Sequence, residues 1–237
     1  MAIIYQDDHF GREGLAGLKS QIGRYPGMKL VAEVPVDKQE TRLSPYVQQL
    51  RQSKPDIVLL WVNPISAFKI FYLGEITRFN PIWMAPSALS DYELMFEKSK
   101  ELTKGLISMN YLTRDDSKIE KYRKFWEEQQ EELNIPHFTG FVIGSIGYAE
   151  VLVEGIKRCG RELTREKFVR EMEKIQNYNK GVLSTISYGP FDPDNPDCRT
   201  GLTRLYMTQC ADNGETRVLT DWYDLDSSIK EINPPEL

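Results

Sequence analysis

The stretch Met1-Ala-Ile-Ile-Tyr5-Gln-Asp-Asp-His-Phe10-Gly-Arg-Glu-Gly14-Leu-Ala-Gly17-Leu-Lys19 decides the fold. Ala2 to Tyr5 is a short apolar run, Gln6 to His9 a polar turn, and Leu15, Leu18 and Ile22 recur at helical spacing, so the stretch reads as one strand-turn-helix unit. It begins with no lead-in, like the middle of a protein. Three further units of this kind follow, which predicts an α/β layered sheet with right-handed crossovers.

In the second unit Lys29 to Val36 reads as a strand, and Ser44-Pro45 as an N-cap with proline at the first helical position, opening a helix through Leu50. Asp56 to Val62 follows as an unbroken apolar run, the pattern of a central parallel strand covered on both faces. Ala67, Ile70, Phe71 and Ile76 mark the next helix and Pro81 to Ala85 the next strand. Ser90-x-x-Glu93 has the form of a capping box opening a helix toward Phe96, and Gly105 to Leu112 supplies one more strand.

After Leu112 the pattern changes. Asp115 to Leu133 predicts a charged amphipathic helix with Ile119, Tyr122, Trp126 and Leu133 on one face, while Phe138 to Cys159 is apolar nearly all round and is expected to be buried. Gly160 is placed to end that helix and Thr164 to cap a third, carrying Phe168, Met172 and Ile175 on one side. Leu202 to Cys210 and Arg217 to Trp222 then flank Ala211-Asp-Asn-Gly214, a hairpin signal.

Composition removes several function classes. With 30 Lys+Arg against 35 Asp+Glu, scattered rather than blocked, the net charge of −5 leaves no electrostatic footprint for nucleic acid. The greasiest segment, Phe138 to Ile156, is interrupted by Glu150 and Glu154 and does not read as a membrane span. No cationic region followed by an apolar one opens the chain, so no signal peptide is read in it. The three cysteines, Cys159, Cys198 and Cys210, lack CxxC spacing and only His9 and His137 accompany them, which argues for free thiols and no metal site. A Cys198–Cys210 bridge is the sharper alternative.

Catalytic signals are equally thin. Gly11, Gly14 and Gly17 have GxxGxxG spacing with no following Lys-Ser/Thr, so close helix-sheet packing accounts for them better than a nucleotide phosphate, and no cofactor is expected. His9 reads as a solvated turn residue with no serine or cysteine nucleophile in an elbow motif around it. Asp115-Asp116 and Glu131-Glu132 sit at helix ends, where solvation and the helix dipole explain them. We therefore expect no enzyme and no catalytic residue.

Ligands of open α/β sheets bind where strands end and helices begin. Those positions are Phe10 after the first strand, Asn63 after the central one, and Ser87 and Ala88 after Met84-Ala-Pro. For Phe10 the competing reading is a staple packed on its own helix.

The ordered set Ile3-Ile-Tyr-Gln-Asp-Asp-His-Phe-Gly11, Val47-x-x-Leu50 before Pro55-Asp56-Ile-Val-Leu, Met84-Ala-Pro-Ser87, Gly105-Leu-Ile, Gly147-Tyr148-Ala149 and Gly189-Pro190-Phe191-Asp192 resembles the type I periplasmic solute-binding proteins of the branched-chain amino acid transporter group. The resemblance implies a Rossmann-like parallel sheet lobe plus a helical segment. Residues 1–111 and 186–237 would form the second ligand-binding lobe, and 112–185 would belong to a first lobe whose βαβ core is missing, with any secretion signal.

By the same resemblance the whole protein is an extracytoplasmic or periplasmic component of an ABC importer that closes two lobes on a small molecule and docks on a membrane permease. A ligand-sensing domain of a receptor or regulator with the same fold is the alternative. Phe10 matches the family's aromatic that lies over the ligand. Amino-acid-binding members carry an acidic residue where this chain has Ser87, and a hydroxyl does not offset a buried ammonium, a loss of several kcal/mol. The resemblance therefore implies a small organic ligand, branched-chain amino acid-like, carboxylate or aromatic, and Ser87 argues against a free α-amino acid.

Leaving six or so large side chains of helices 115–175 wet would forfeit on the order of 10 kcal/mol. Self-association through these helices, or their rearrangement, is the expected consequence, and the chain alone is expected to bind ligand weakly or not at all.

Overall fold

The computed structural model describes residues 1–195 and 198–225, which divide into two compact units. The first holds Met1–Asn110 and Met207–Leu219, and the second Tyr111–Tyr206 with the residues from Thr220 onward.

In the first unit β1 (Ala2–Gln6), β2 (Ala32–Val36), β3 (Ile57–Trp61), β4 (Ile82–Ala85) and β5 (Ile107–Asn110) alternate with α1 (His9–Ile22), α2 (Ser44–Gln52), α3 (Pro64–Ile76) and α4 (Tyr92–Ser99). Later in the chain β6 (Arg204–Cys210) and β7 (Thr216–Val218) complete a sheet of order β2-β1-β3-β4-β5-β6-β7. The pairs among β1, β2, β3, β4 and β5 are parallel, and β6-β7 is an antiparallel hairpin turning at Gly214, whose φ of +83° a glycine takes without strain. β3 is central, as its apolar run predicts. Val58 and Leu60 are fully buried and none of its residues is exposed.

The local differences from the sequence reading have physical causes. β2 starts at Ala32, and just before it Lys29 O accepts from the Met1 ammonium at 2.7 Å and Val31 N donates to Met1 O at 2.8 Å, hydrogen bonds to the chain terminus rather than to β1. Ser44 is the first residue of α2 rather than its cap, and no side chain caps that helix. The capping box at Ser90 does not form: Ser90 Oγ donates to Ser87 O at 2.8 Å, and Asp91 Oδ1 accepts from Leu94 N instead. Ile76, read as apolar-face, is exposed.

α4, β5 and β6 are joined by a buried knot of hydroxyls. Tyr92 Oη donates to Thr208 O at 2.9 Å and lies 2.5 Å from Ser108 Oγ and 3.0 Å from Thr208 Oγ1, which itself donates to Ser108 O. Burial, the dominant influence, pushes the Tyr92 phenol above its usual pKa.

The second unit carries α5 (Asp116–Leu133), α6 (Gly140–Cys159), α7 (Arg165–Glu173) and the short β8 (Tyr223–Asp224), which pairs with Arg204 and Leu205. Asp115 and Thr164 cap α5 and α7, and Gly160 ends α6 at a φ of +63°. A small core gathers Val151, Ile175, Leu183 and Ile186, with antiparallel bridges Leu112 to Leu183 and Tyr178 to Ile186 beside it.

α6 departs from the expectation of full burial. Ile143, Gly144, Gly147, Val151, Gly155 and Cys159 are covered, but Phe141, Tyr148, Leu152 and Ile156, spaced 7, 4 and 4 apart, stand exposed along another face. Their cover is partial: Tyr148 meets Tyr111, and Leu152 and Ile156 share a shallow depression with Leu163 and Phe168. All three cysteines are free, so the bridged alternative is not realised. No described helix is long and apolar enough to cross a membrane.

Tyr92→Phe is expected to destabilise the protein by about 1–3 kcal/mol, because acceptors left without the phenol remain buried, as read by urea unfolding. The raised phenol pKa also has a sign. Its stabilisation is complete below the unfolded value of about 10 and is lost as pH rises toward the folded one, so the gap between wild type and Tyr92→Phe should narrow above about pH 10.

Candidate functional site

The carboxyl ends of β1, β3 and β4, neighbours in the sheet, form one edge. Its organiser is Gln6, the last residue of β1, only 6% exposed. Gln6 Oε1 accepts from both Asn63 N (2.9 Å) and Asn63 Nδ2 (3.0 Å), and Gln6 Nε2 donates to Asp8 Oδ2 at 3.0 Å. Asp8 Oδ1 in turn accepts from Gly11 N at 3.0 Å, capping α1, and Asn63 Oδ1 accepts from Ser66 N at 2.9 Å, capping α3. Two helix N-termini, each favouring negative charge, thus open on this edge and are tied together through one buried amide.

Four residues were expected to touch a ligand here. Phe10, in the first turn of α1, is 39% exposed and rests its ring on Trp61, centroids 5.7 Å apart at 34°. It packs on the end of β3, not only on its own helix. Asn63 is the N-cap of α3, and its amide serves Ser66 and Gln6, leaving one Nδ2 hydrogen for another acceptor. Ser87 and Ala88 open a 3-10 turn (Ser87–Leu89) directly after β4 and are half-buried. The Ser87 hydroxyl has no hydrogen-bond partner among the described residues.

The glycines of the first turn are explained by contact. A Cβ on Gly11 would strike Gln6 O and one on Gly14 the Trp61 ring, whereas Gly17 meets nothing. Gly11 and Gly14 therefore let α1 lie close over the ends of β1 and β3. Around the rim Arg12 pairs with Asp7 at 2.8 Å and His9 with Glu13 at 3.2 Å, all well exposed. Among the described residues no group of three or more His, Cys, Asp or Glu side chains is placed to hold a metal ion. Gln6 escaped the sequence reading. A polar residue closing an apolar strand looks like the first residue of a turn, and only its register opposite Asn63 gives it away.

The family model for periplasmic binding proteins matches residues 1–215. No curated protein matches the sequence. Among solved structures, a substrate-binding periplasmic protein from Ralstonia solanacearum is similar with a TM-score of 0.77 at 15% identity, over 92% of this chain and 60% of that one. A fatty acid ABC transporter substrate-binding protein from Thermomonospora curvata gives 0.71 at 17% identity, over 96% and 57%. A leucine binding protein from Thermotoga maritima gives 0.68 at 16% identity, over 95% and 61%. The chain spans only about three fifths of the length of these structures. At such identities the likeness is one of fold.

Gln6→Ala is expected to destabilise the first unit by about 1–3 kcal/mol, since Asn63 N is left without its acceptor, and Asn63→Ala by about 1 kcal/mol through the lost cap. Because the two share hydrogen bonds, the double variant should cost less than the sum. Urea unfolding of the four proteins measures this cycle.

Proposed function

This chain belongs to the periplasmic binding protein family, and from that premise we propose that it is part of the substrate-binding component of an ABC importer, non-catalytic and extracytoplasmic, whose partner is a membrane permease. The ligand is a small organic molecule of carboxylate or aromatic character held at the edge just described. Phe10 offers its exposed ring face, Ser87 its unpartnered hydroxyl, Asn63 its remaining N–H and Ala88 a small apolar contact.

The observation that carries this reading is the delivery of these groups by adjacent parallel strands to one edge, beside two helix N-termini that favour an anion. In this reading residues 1–111 and 186–237 act as the second ligand-binding lobe and 112–185 as a piece of the first. Lobe closure around the ligand is the working motion. With one wall, the affinity of this chain alone is low.

Self-association belongs to the same proposal. The stripe Phe141, Tyr148, Leu152 and Ile156 is about half exposed per residue, so a contact between two copies, which covers two stripes, contributes on the order of 8 kcal/mol. Lost freedom on association offsets most of it, at about 4 kcal/mol or more. The resulting contact is weak, and sedimentation velocity should show an average mass that climbs with concentration and falls back in Leu152→Glu. A concentration-independent monomer would refute it.

Amide chemical-shift mapping tests the ligand class. Benzoate and short-chain carboxylates should shift Phe10, Asn63, Ser87 and Ala88 in a saturable way, and leucine should not. Ser87→Asp should reverse the preference, gaining about tenfold for leucine by pairing its ammonium. Shifts mapping away from this edge, or leucine binding as well as benzoate to the unaltered chain, would overturn the proposal.

A further inference from the structure

α5 and α6 face one another across a gap rather than through a packed seam. Directly packed helices approach to about 8–10 Å and bury their facing side chains, yet no residue of α5 is buried despite its amphipathic pattern. Between the helices lies a cavity of about 880 Å³ walled by Phe125, Trp126, Phe138, Val142, Ile146 and Val153. That is the size and character of a small-molecule pocket.

Two polar contacts cross the gap, both on Glu150: Tyr122 Oη donates to Glu150 Oε1 at 2.6 Å, and Lys121 Nζ lies 3.6 Å from the same oxygen. Burial first, and the Glu150 contact second, pushes the Tyr122 phenol up to about 12, so it remains a donor at neutral pH.

The charges around the cavity do not cancel. Glu150 is already engaged by Tyr122, by Val182 N at 2.8 Å and by Lys121 at 3.6 Å, and Glu154 pairs with Arg158 at 2.8 Å. Lys157 and Lys180 also line the cavity, and among the described residues neither ammonium has an ion-pair or hydrogen-bond partner. An apolar gap with its carboxylates occupied and two ammonium groups free suits one kind of guest.

We propose that this groove is a second small-molecule site, separate from the strand edge, that takes an amphipathic organic monoanion: an aromatic or alkyl body between α5 and α6, and a carboxylate or sulfonate head at Lys157 and Lys180. A cation is disfavoured because both glutamates are engaged, and a neutral guest would forgo the lysines. The site lies wholly within the second unit, so it stands or falls independently of the strand-edge reading.

Titration of the full chain with 8-anilinonaphthalene-1-sulfonate, followed by fluorescence, tests it. One saturable equivalent is expected, displaced by decanoate and at least several-fold less well by 1-decanol. The Lys157→Gln/Lys180→Gln double variant should weaken binding about tenfold, and Ile146→Trp, which fills the gap, should abolish it. Leu152→Glu, on the outward stripe of α6, should leave the constant unchanged, and thermal unfolding verifies that each variant folds. Loss of signal in Leu152→Glu, or several equivalents persisting in Ile146→Trp, would mean adsorption to exposed apolar surface and overturn the proposal. Failure of the unaltered chain to bind would overturn it too, showing the groove closed or covered in solution.

Discussion

The candidate strand edge depends on one buried side-chain amide. Gln6 has an acceptor and a donor, and it uses them on three groups: the backbone and side chain of Asn63, and the carboxylate of Asp8. Each net hydrogen bond is worth about 1 kcal/mol, but an orphaned buried partner costs about 1–3, so the caps of α1 and α3 resist moving separately. Polar contacts usually found at a loop's discretion are here referred back to the rigid end of β1. A binding edge needs its walls set before the ligand arrives, and this amide sets two of them. The Phe10 ring, in the first turn of α1, inherits that placement and is fixed further by Trp61.

Much of this architecture was legible from hydrophobic period and punctuation. The alternation of short apolar runs with helical spacing gave the parallel sheet, the unbroken Ile57 to Val62 run gave the central strand, and Thr164 and Gly160 marked true helix ends. The strand-end rule placed Phe10, Asn63, Ser87 and Ala88 along one edge of one sheet. What period does not encode is competition among polar groups. Ser90 fits a capping pattern, yet its hydroxyl has a nearer carbonyl in Ser87 and Asp91 takes the helix end. Asn63 reads only as a position after the central strand, because nothing local shows that Gln6, 57 residues earlier, lies opposite it. The same blindness hid Gln6 itself.

α6 shows why apolar content predicts how much surface must be covered but not by what. Its sequence is apolar nearly all round, which reads as burial on every side. Its glycines discriminate. A Cβ on Gly144 would meet Tyr111, one on Gly147 would strike Leu183, and one on Gly155 would strike Met172 and Phe168. Each lies where a side chain of the same unit approaches the helix backbone. The outward stripe and the groove toward α5 carry full-sized side chains instead, Phe141, Tyr148, Leu152 and Ile156 on one and Val142, Ile146 and Val153 on the other.

Glycine therefore marks the face closed by intramolecular packing, because only there must the backbone itself be reached. The groove and the stripe have no glycine and keep whole side chains that the unit's own core leaves exposed or half-buried. On this criterion α6 has one internal face and two external ones, and the external pair differ in charge: the groove has two lysines without partners, the stripe has none. The two faces are thus suited to different occupants, an apolar surface for the stripe and an anionic amphiphile for the groove.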